Sequence, residues 1–184
     1  MHTLILNGSP RKQGDTAYLI DLLRSRLKGE STQIDAFTCG VSPCIDCRYC
    51  REHPGCAIPD GMQSLYPLLE RADALIIASP LYFSELTGPL LSLCSRMQPY
   101  YTARIFRKEN TNLTCKRGGI LLTGGGDGAP DRALATARML LRLANVREIY
   151  DPILFLNTDR RAISSDKSLP PQVEALAGWL NREG

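Results

Sequence analysis

Two stretches of this chain carry residues that could do chemistry. In Asn7-Gly8-Ser9-Pro10-Arg11-Lys12-Gln13-Gly14-Asp15-Thr16, small, hydroxyl-bearing and basic residues are crowded between an aliphatic run, Thr3 to Leu6, and an apolar helical face of Ala17, Leu19, Ile20, Leu23 and Leu27. A strand that opens through such a loop into a helix offers an anion several backbone N–H groups without intrahelical partners and the positive end of the helix dipole. Ser9, Thr16, Arg11 and Lys12 would assist, so the expected ligand is a phosphate. The second stretch holds Cys44, Cys47, Cys50 and Cys56, spaced C-x2-C-x2-C-x5-C. Three ligands at intervals of three can curl round one centre, and His53-Pro54-Gly55 lets the chain turn back to deliver the fourth. Three readings stand for these thiols: a [4Fe-4S] cluster whose anionic charge Arg48 and Arg51 would offset, a zinc ion, or no metal.

The letters of the first loop exclude two familiar phosphate cradles. Five residues separate Gly8 from Gly14, and Asp15 stands where a P-loop needs lysine. The dinucleotide fingerprint is absent from this turn, and Gly124-Gly125-Gly126-Asp127-Gly128 fits it poorly. A mononucleotide phosphate is therefore the better expectation. With 22 basic and 19 acidic residues among 184, the net charge of +3 is mild and scattered, which implies neither nucleic acid nor an anionic membrane as partner. No apolar run is long enough to cross a bilayer and no signal-like segment leads the chain, so a cytoplasmic protein is expected. Seven cysteines, four of them within thirteen residues, suit metal or redox chemistry in a reducing compartment better than a disulfide scaffold. The only histidines are His2 and His53, so no Ser-His-Asp or Cys-His pair is apparent.

The elements that must position these residues alternate along the chain. Strands are expected near Thr3 to Leu6, Gln33 to Phe37, Ala74 to Ala78, Gly119 to Leu122 and Ile149 to Phe155. Helices are expected near Thr16 to Leu27, Gly61 to Arg71, Thr87 to Met97, Asp131 to Ala144 and Pro171 to Asn181. This alternation predicts an α/β fold: one domain over 1–184, with a doubly wound parallel sheet of five strands in the order 2-1-3-4-5 and a cysteine-rich loop inserted at about 39–59. Ligands of such sheets bind at the carboxyl ends of the strands beside the switch point. There the third strand opens into Ser79-Pro80-Leu81-Tyr82-Phe83-Ser84 and the fourth into Thr123-Gly124-Gly125-Gly126. The aromatics could wall a planar ring or merely cover the core. The glycines could bring backbone N–H donors to its polar edge or form a plain turn. Three unusual loops converging on one crevice fit a flavin mononucleotide, FMN.

In combination, GSPRKQGDT, SPLYF and LLTGGG resemble the flavodoxin-like NAD(P)H-dependent FMN reductases, and the cysteine run resembles their iron-sulfur flavoprotein branch. That resemblance covers the chain through about Gly128. It implies that Ser9, Arg11, Asp15 and Thr16 hold the FMN phosphate, that Pro80, Leu81, Tyr82 and Phe83 line the ribityl chain and ring, and that Thr123, Gly124, Gly125 and Gly126 flank the ring's polar edge. It further implies a homodimer or homotetramer, with NADPH or NADH as hydride donor and a small molecule or protein as electron acceptor; the alternative is an electron carrier without its own NAD(P)H turnover. The chain departs from the family pattern at Asp15, where asparagine is usual and where aspartate would serve as a helix N-cap. It departs again at Leu90 and Leu91, at Ser95-Arg96 where only the arginine of an Asp-Arg pair is kept, and at Asp60-Gly61.

Overall fold

The computed structural model describes residues 1–182; the last two residues of the expected 1–184 domain lie outside the described residues. Strands β1 (His2–Asn7), β2 (Glu30–Asp35), β3 (Ala74–Pro80), β4 (Lys116–Thr123) and β5 (Val146–Ile149) form a parallel sheet in the order β2-β1-β3-β4-β5, the order expected. A short β6 (Ile153–Phe155) also pairs with β4, further along it: β5 takes Lys116 to Gly118 and β6 takes Leu121 to Thr123. The single fifth strand expected over Ile149 to Phe155 is thus broken in two. Between its halves lies Pro152, which has no N–H to give to a ladder.

The helices are α1 (Asp15–Arg24), α2 (Tyr49–Glu52), α3 (Met62–Arg71), α4 (Gly88–Ser95), α5 (Gln98–Thr102), α6 (Asp131–Leu143) and α7 (Leu169–Leu180). Alternate strand residues feed opposite layers, as a sheet covered on both faces requires. Leu4, Leu6, Leu75, Ile77, Ile120 and Leu122 pack towards α3, α4 and α6. Ile5, Ile76, Ala78, Leu121 and Phe155 pack with Leu19 and Leu23 of α1 and Val173 and Leu176 of α7.

Two further expectations need correction. The second strand lies at Glu30–Asp35, earlier than Gln33 to Phe37, because it is a half-exposed edge strand paired only with β1 and so tolerates the polar run ESTQID. The segment after α4 continues through α5 into a π-helical turn, Ala103–Arg107, which no apolar periodicity announces. Among the described residues no helix is long and apolar enough to cross a membrane.

Candidate functional site

The carboxyl ends of β1, β3 and β4 open into a cleft of about 150 Å³. Its floor is the loop from Gly8 to Gly14. The Ser9 N–H bonds the Asn7 side chain at 2.9 Å, and the Arg11 N–H bonds the Ser9 hydroxyl at 3.2 Å, curling the loop over its own side chains. Gly8 is clamped from beneath: its N–H reaches the Ala78 carbonyl at 2.7 Å and its carbonyl accepts from the Thr87 hydroxyl at 2.8 Å. A Cβ there would lie 2.8 to 2.9 Å from Ser79, Leu90 and Thr87 atoms, so only glycine lets β1 run this close to the α4 entrance.

Helix α1 begins at Asp15, with Gly14 as N-cap and no side-chain cap. Asp15 is therefore the first helical residue and not the N-cap expected of it. The first intrahelical bond runs from Tyr18 N–H to the Gly14 carbonyl at 3.0 Å. The N–H groups of Asp15, Thr16 and Ala17 precede it and have no intrahelical acceptor. Thr16 is buried, its hydroxyl 2.8 Å from that of Thr123, which ties the start of α1 to the end of β4.

The second wall follows β3. The Leu81 N–H bonds the Thr123 carbonyl at 2.7 Å, prolonging the pairing with β4 past Pro80. Tyr82 and Glu85 then exchange backbone hydrogen bonds around Phe83 and Ser84, both in the left-handed region at φ 53° and 63°. Pro80, Leu81 and Tyr82 line the cleft, whereas Phe83 stands at the tip of this turn, fully exposed and outside the lining. A two-residue turn of this kind drives its central side chains away from the wall.

The third wall is the glycine loop. Thr123, Gly124 and Gly125 line the cleft; Gly126 does not. The Gly124 N–H is already committed to the Phe155 carbonyl at 2.9 Å, so of the three donors expected, those of Gly125 and Gly126 have no protein acceptor among the described residues. Asn157, Thr158 and Asp159 donate their N–H groups to the carbonyls of Gly126, Gly124 and Gly125. A Cβ on Gly125 would meet the Asp159 carboxylate at 2.5 Å. Thr158 and Asp159 complete the lining, and sequence reasoning missed both because they lie past the last strand in a segment without a motif.

Cys44, Cys47, Cys50 and Cys56 line one cavity of about 470 Å³, together with Tyr101, Phe106 and Arg96 among others. All four are free thiols. Among the described residues no three Cys, His, Asp or Glu side chains stand close enough to clasp an ion. The expectation of four thiols gathered round one centre is corrected to four thiols lining one cavity. The expected counter-cations also differ. Arg48 is largely exposed and lies 3.6 Å from Asp46, and Arg51 stacks over the Phe106 ring at 4.7 Å. Instead Arg96, buried at the end of α4, donates to Asp60 at 2.6 Å, to the Ser42 carbonyl at 2.9 Å and to Cys56 Sγ at 3.4 Å.

Burial opposes ionisation of Asp60, yet hydrogen bonds from Arg96 and from the Ser42 and Met62 N–H groups outweigh it and hold the carboxyl below its ordinary range. Of the remaining cysteines, Cys94 is buried, which pushes its thiol up to about 12, while Cys39 is half-buried and Cys115 exposed.

Fold and cleft together define a flavodoxin-like α/β protein whose cleft lies at the switch point of its sheet. The chain belongs to the NADPH-dependent FMN reductase family, whose model matches residues 1–160. It is similar to an iron-sulfur flavoprotein of Methanocaldococcus jannaschii, 31% identical over 137 residues, and to one of Archaeoglobus fulgidus, 27% identical over 138. These alignments take in 71% and 73% of this chain, which spans 66% and 60% of the two relatives' lengths. In fold it is similar to an NAD(P)H:quinone oxidoreductase from Methanothermobacter marburgensis, with a TM-score of 0.71 at 17% identity, covering 100% of this chain and 98% of that one.

Proposed function

We propose that this chain is a flavoprotein oxidoreductase that binds FMN in the β1, β3 and β4 cleft, uses NADPH or NADH as donor and passes electrons to a small-molecule or protein acceptor. The observation that carries this reading is the convergence of three separate loops on one cleft: unpaired N–H groups at a helix start, an apolar and aromatic wall, and a glycine rim with two uncommitted donors. The cleft is smaller than the pockets that enclose whole ligands, which suits a phosphate and ribityl chain seated inside with the ring lying over the rim. When bound, FMN supplies hydride acceptance from a nicotinamide and onward transfer of electrons.

The protein's part is to hold and orient. Asp15, Thr16 and Ala17 N–H groups, with Ser9 and Arg11, hold the phosphate. Pro80, Leu81 and Tyr82 flank the ribityl chain and one side of the ring. Gly125 and Gly126 N–H groups donate to the polar edge, where they favour added negative charge. Cys44, Cys47, Cys50 and Cys56 are proposed to hold a [4Fe-4S] cluster; a purely thiolate donor set facing one cavity fits that group, which supplies single-electron transfer. The chain is proposed to act as a homodimer or homotetramer.

The test is the visible spectrum of anaerobically purified protein before and after NADPH or NADH. Flavin absorbance that bleaches supports the reductase. Flavin absorbance indifferent to both nucleotides indicates a carrier, and protein that binds no FMN in calorimetry overturns the reading.

A further inference from the structure

Arg96 is 1% exposed. Its Nη1 serves Asp60 and the Ser42 carbonyl, and its Nη2 serves Cys56 Sγ and, at 3.4 Å, the Ile58 carbonyl. Its Nε–H is buried with no partner among the described residues. Asp60 is the one carboxylate within ion-pair distance among those residues, and it also accepts from the N–H groups of Ser42 and Met62. Of the four loop cysteines, Cys56 alone receives a side-chain hydrogen bond at sulfur.

The neighbouring arginines are deployed elsewhere. Arg48 is exposed beside Asp46, Arg51 lies on Phe106, and Arg107 turns to the Cys50 carbonyl and to Glu109. Arg96 is therefore the desolvated cation directed at a cysteine sulfur. Burying a guanidinium is costly unless its partners compensate, and a purely structural strut at this place could be apolar. A donor left unpaired and a sulfur as acceptor suit a site that receives further negative charge.

We propose that Arg96 is a positioning residue that seats Cys56 and sets the reduction potential of the cluster held by the cysteine loop, an inference that rests on the cluster reading above. One added electron makes a thiolate-bound cluster more anionic, and a buried cation hydrogen-bonded to one of its sulfurs stabilises that form and raises the potential. Asp60 partly cancels the same charge, so the two residues pull in opposite directions.

The experiment uses the full chain, reconstituted anaerobically with iron and sulfide, as wild type, Arg96→Gln and Asp60→Asn. Bound iron and sulfide are assayed first, and the midpoint of the cluster is then read from its paramagnetic resonance at controlled potentials. In Arg96→Gln the reduced-to-oxidised ratio at a given potential should fall about tenfold, about 59 mV for one electron, and in Asp60→Asn it should rise. Midpoints equal to wild type, or moving the same way in both variants, overturn the proposal. Should Arg96→Gln fail to fold by circular dichroism, Asp60→Asn alone decides: an upward shift supports the tuning role, and an unchanged or lowered midpoint refutes it. Wild-type protein that takes up no iron and sulfide removes the cluster reading and this inference with it, a result distinct from a loaded protein whose midpoint does not move.

Discussion

Replacing Asp15 by asparagine should tighten FMN binding while weakening the empty protein. Asp15 is the first residue of α1, half-buried, and its carboxylate has no hydrogen-bond partner among the described residues. There it interacts favourably with the helix dipole, a contribution of about 0.3–1 kcal/mol. The proposed phosphate competes for the same field. A dianion and a carboxylate roughly 6 Å apart repel by about 1.4 kcal/mol in water-like surroundings, reduced to about 0.9 kcal/mol at roughly 50 mM salt. Asp15→Asn should therefore lower the Kd for FMN about fivefold at low ionic strength. The same change should lower the stability of the FMN-free protein by about half a kcal/mol, because asparagine keeps the shape but not the charge. Calorimetric titration at roughly 50 mM and 1 M salt checks both the size and the origin, since screening at the higher salt should erase most of the difference. An unchanged or weaker affinity at low salt, or a gain that survives high salt undiminished, would refute the reasoning.

Three other perturbations have definite signs. Gly8→Ala places a Cβ within 2.9 Å of three buried neighbours, so it should cost about 1–3 kcal/mol in urea denaturation and weaken FMN binding with it; wild-type values for both would show that the clamp under the Gly8 to Gly14 loop is slack. Phe83→Gly removes a fully exposed side chain from a left-handed backbone position and should stabilise the protein by roughly 0.5 kcal/mol without altering FMN affinity. A marked loss of FMN affinity would instead return Phe83 to the flavin wall. Burial lowers the Lys116 ammonium to about 8, below its unfolded value, so protonated Lys116 destabilises the fold up to that pH and stability recovers as the pH rises towards the unfolded pKa. Lys116→Met should thus be more stable than wild type by on the order of 2 kcal/mol at pH 7, with the gap narrowing towards pH 10; a gap that is constant with pH would count against a buried ammonium.

The sheet order could be read from the sequence because β1, β3 and β4 are buried on both faces and each carries a central aliphatic run, as in Ala74-Leu75-Ile76-Ile77-Ala78. The edge strand β2 could be placed only approximately, since half-exposed Glu30 to Asp35 carries no such signal. The same logic divides the cleft. Pro80 to Tyr82 and Thr123 to Gly125 were legible because glycine, proline and aromatics at strand ends are unusual. Thr158 and Asp159 enter only through backbone bonds to the glycine loop, a tertiary fact with no local mark. Phe83 illustrates the limit of residue type as a guide: an aromatic beside a strand end suggests a wall, but the hydrogen-bonded turn from Tyr82 to Glu85 decides where it points.

Helix α4 gives the two candidate sites a common support. Its entrance holds the loop from Gly8 to Gly14 through the Thr87 hydroxyl on the Gly8 carbonyl. Its exit holds the cysteine loop through Ser95, whose hydroxyl accepts from the Cys44 N–H at 2.9 Å, and through Arg96 on Cys56. Eight helical residues span roughly 12 Å, so loops far apart in sequence are pinned to the ends of one short rod. Leu90, Leu93 and Cys94 bury that rod in the core, which stops it from tilting at one end without disturbing the other. Leu90, Leu91, Ser95 and Arg96 all lie on or immediately after this helix. Their effect is to make α4 an apolar strut with a polar exit, so that the packing which shapes the cleft also fixes where Arg96 meets the cysteines.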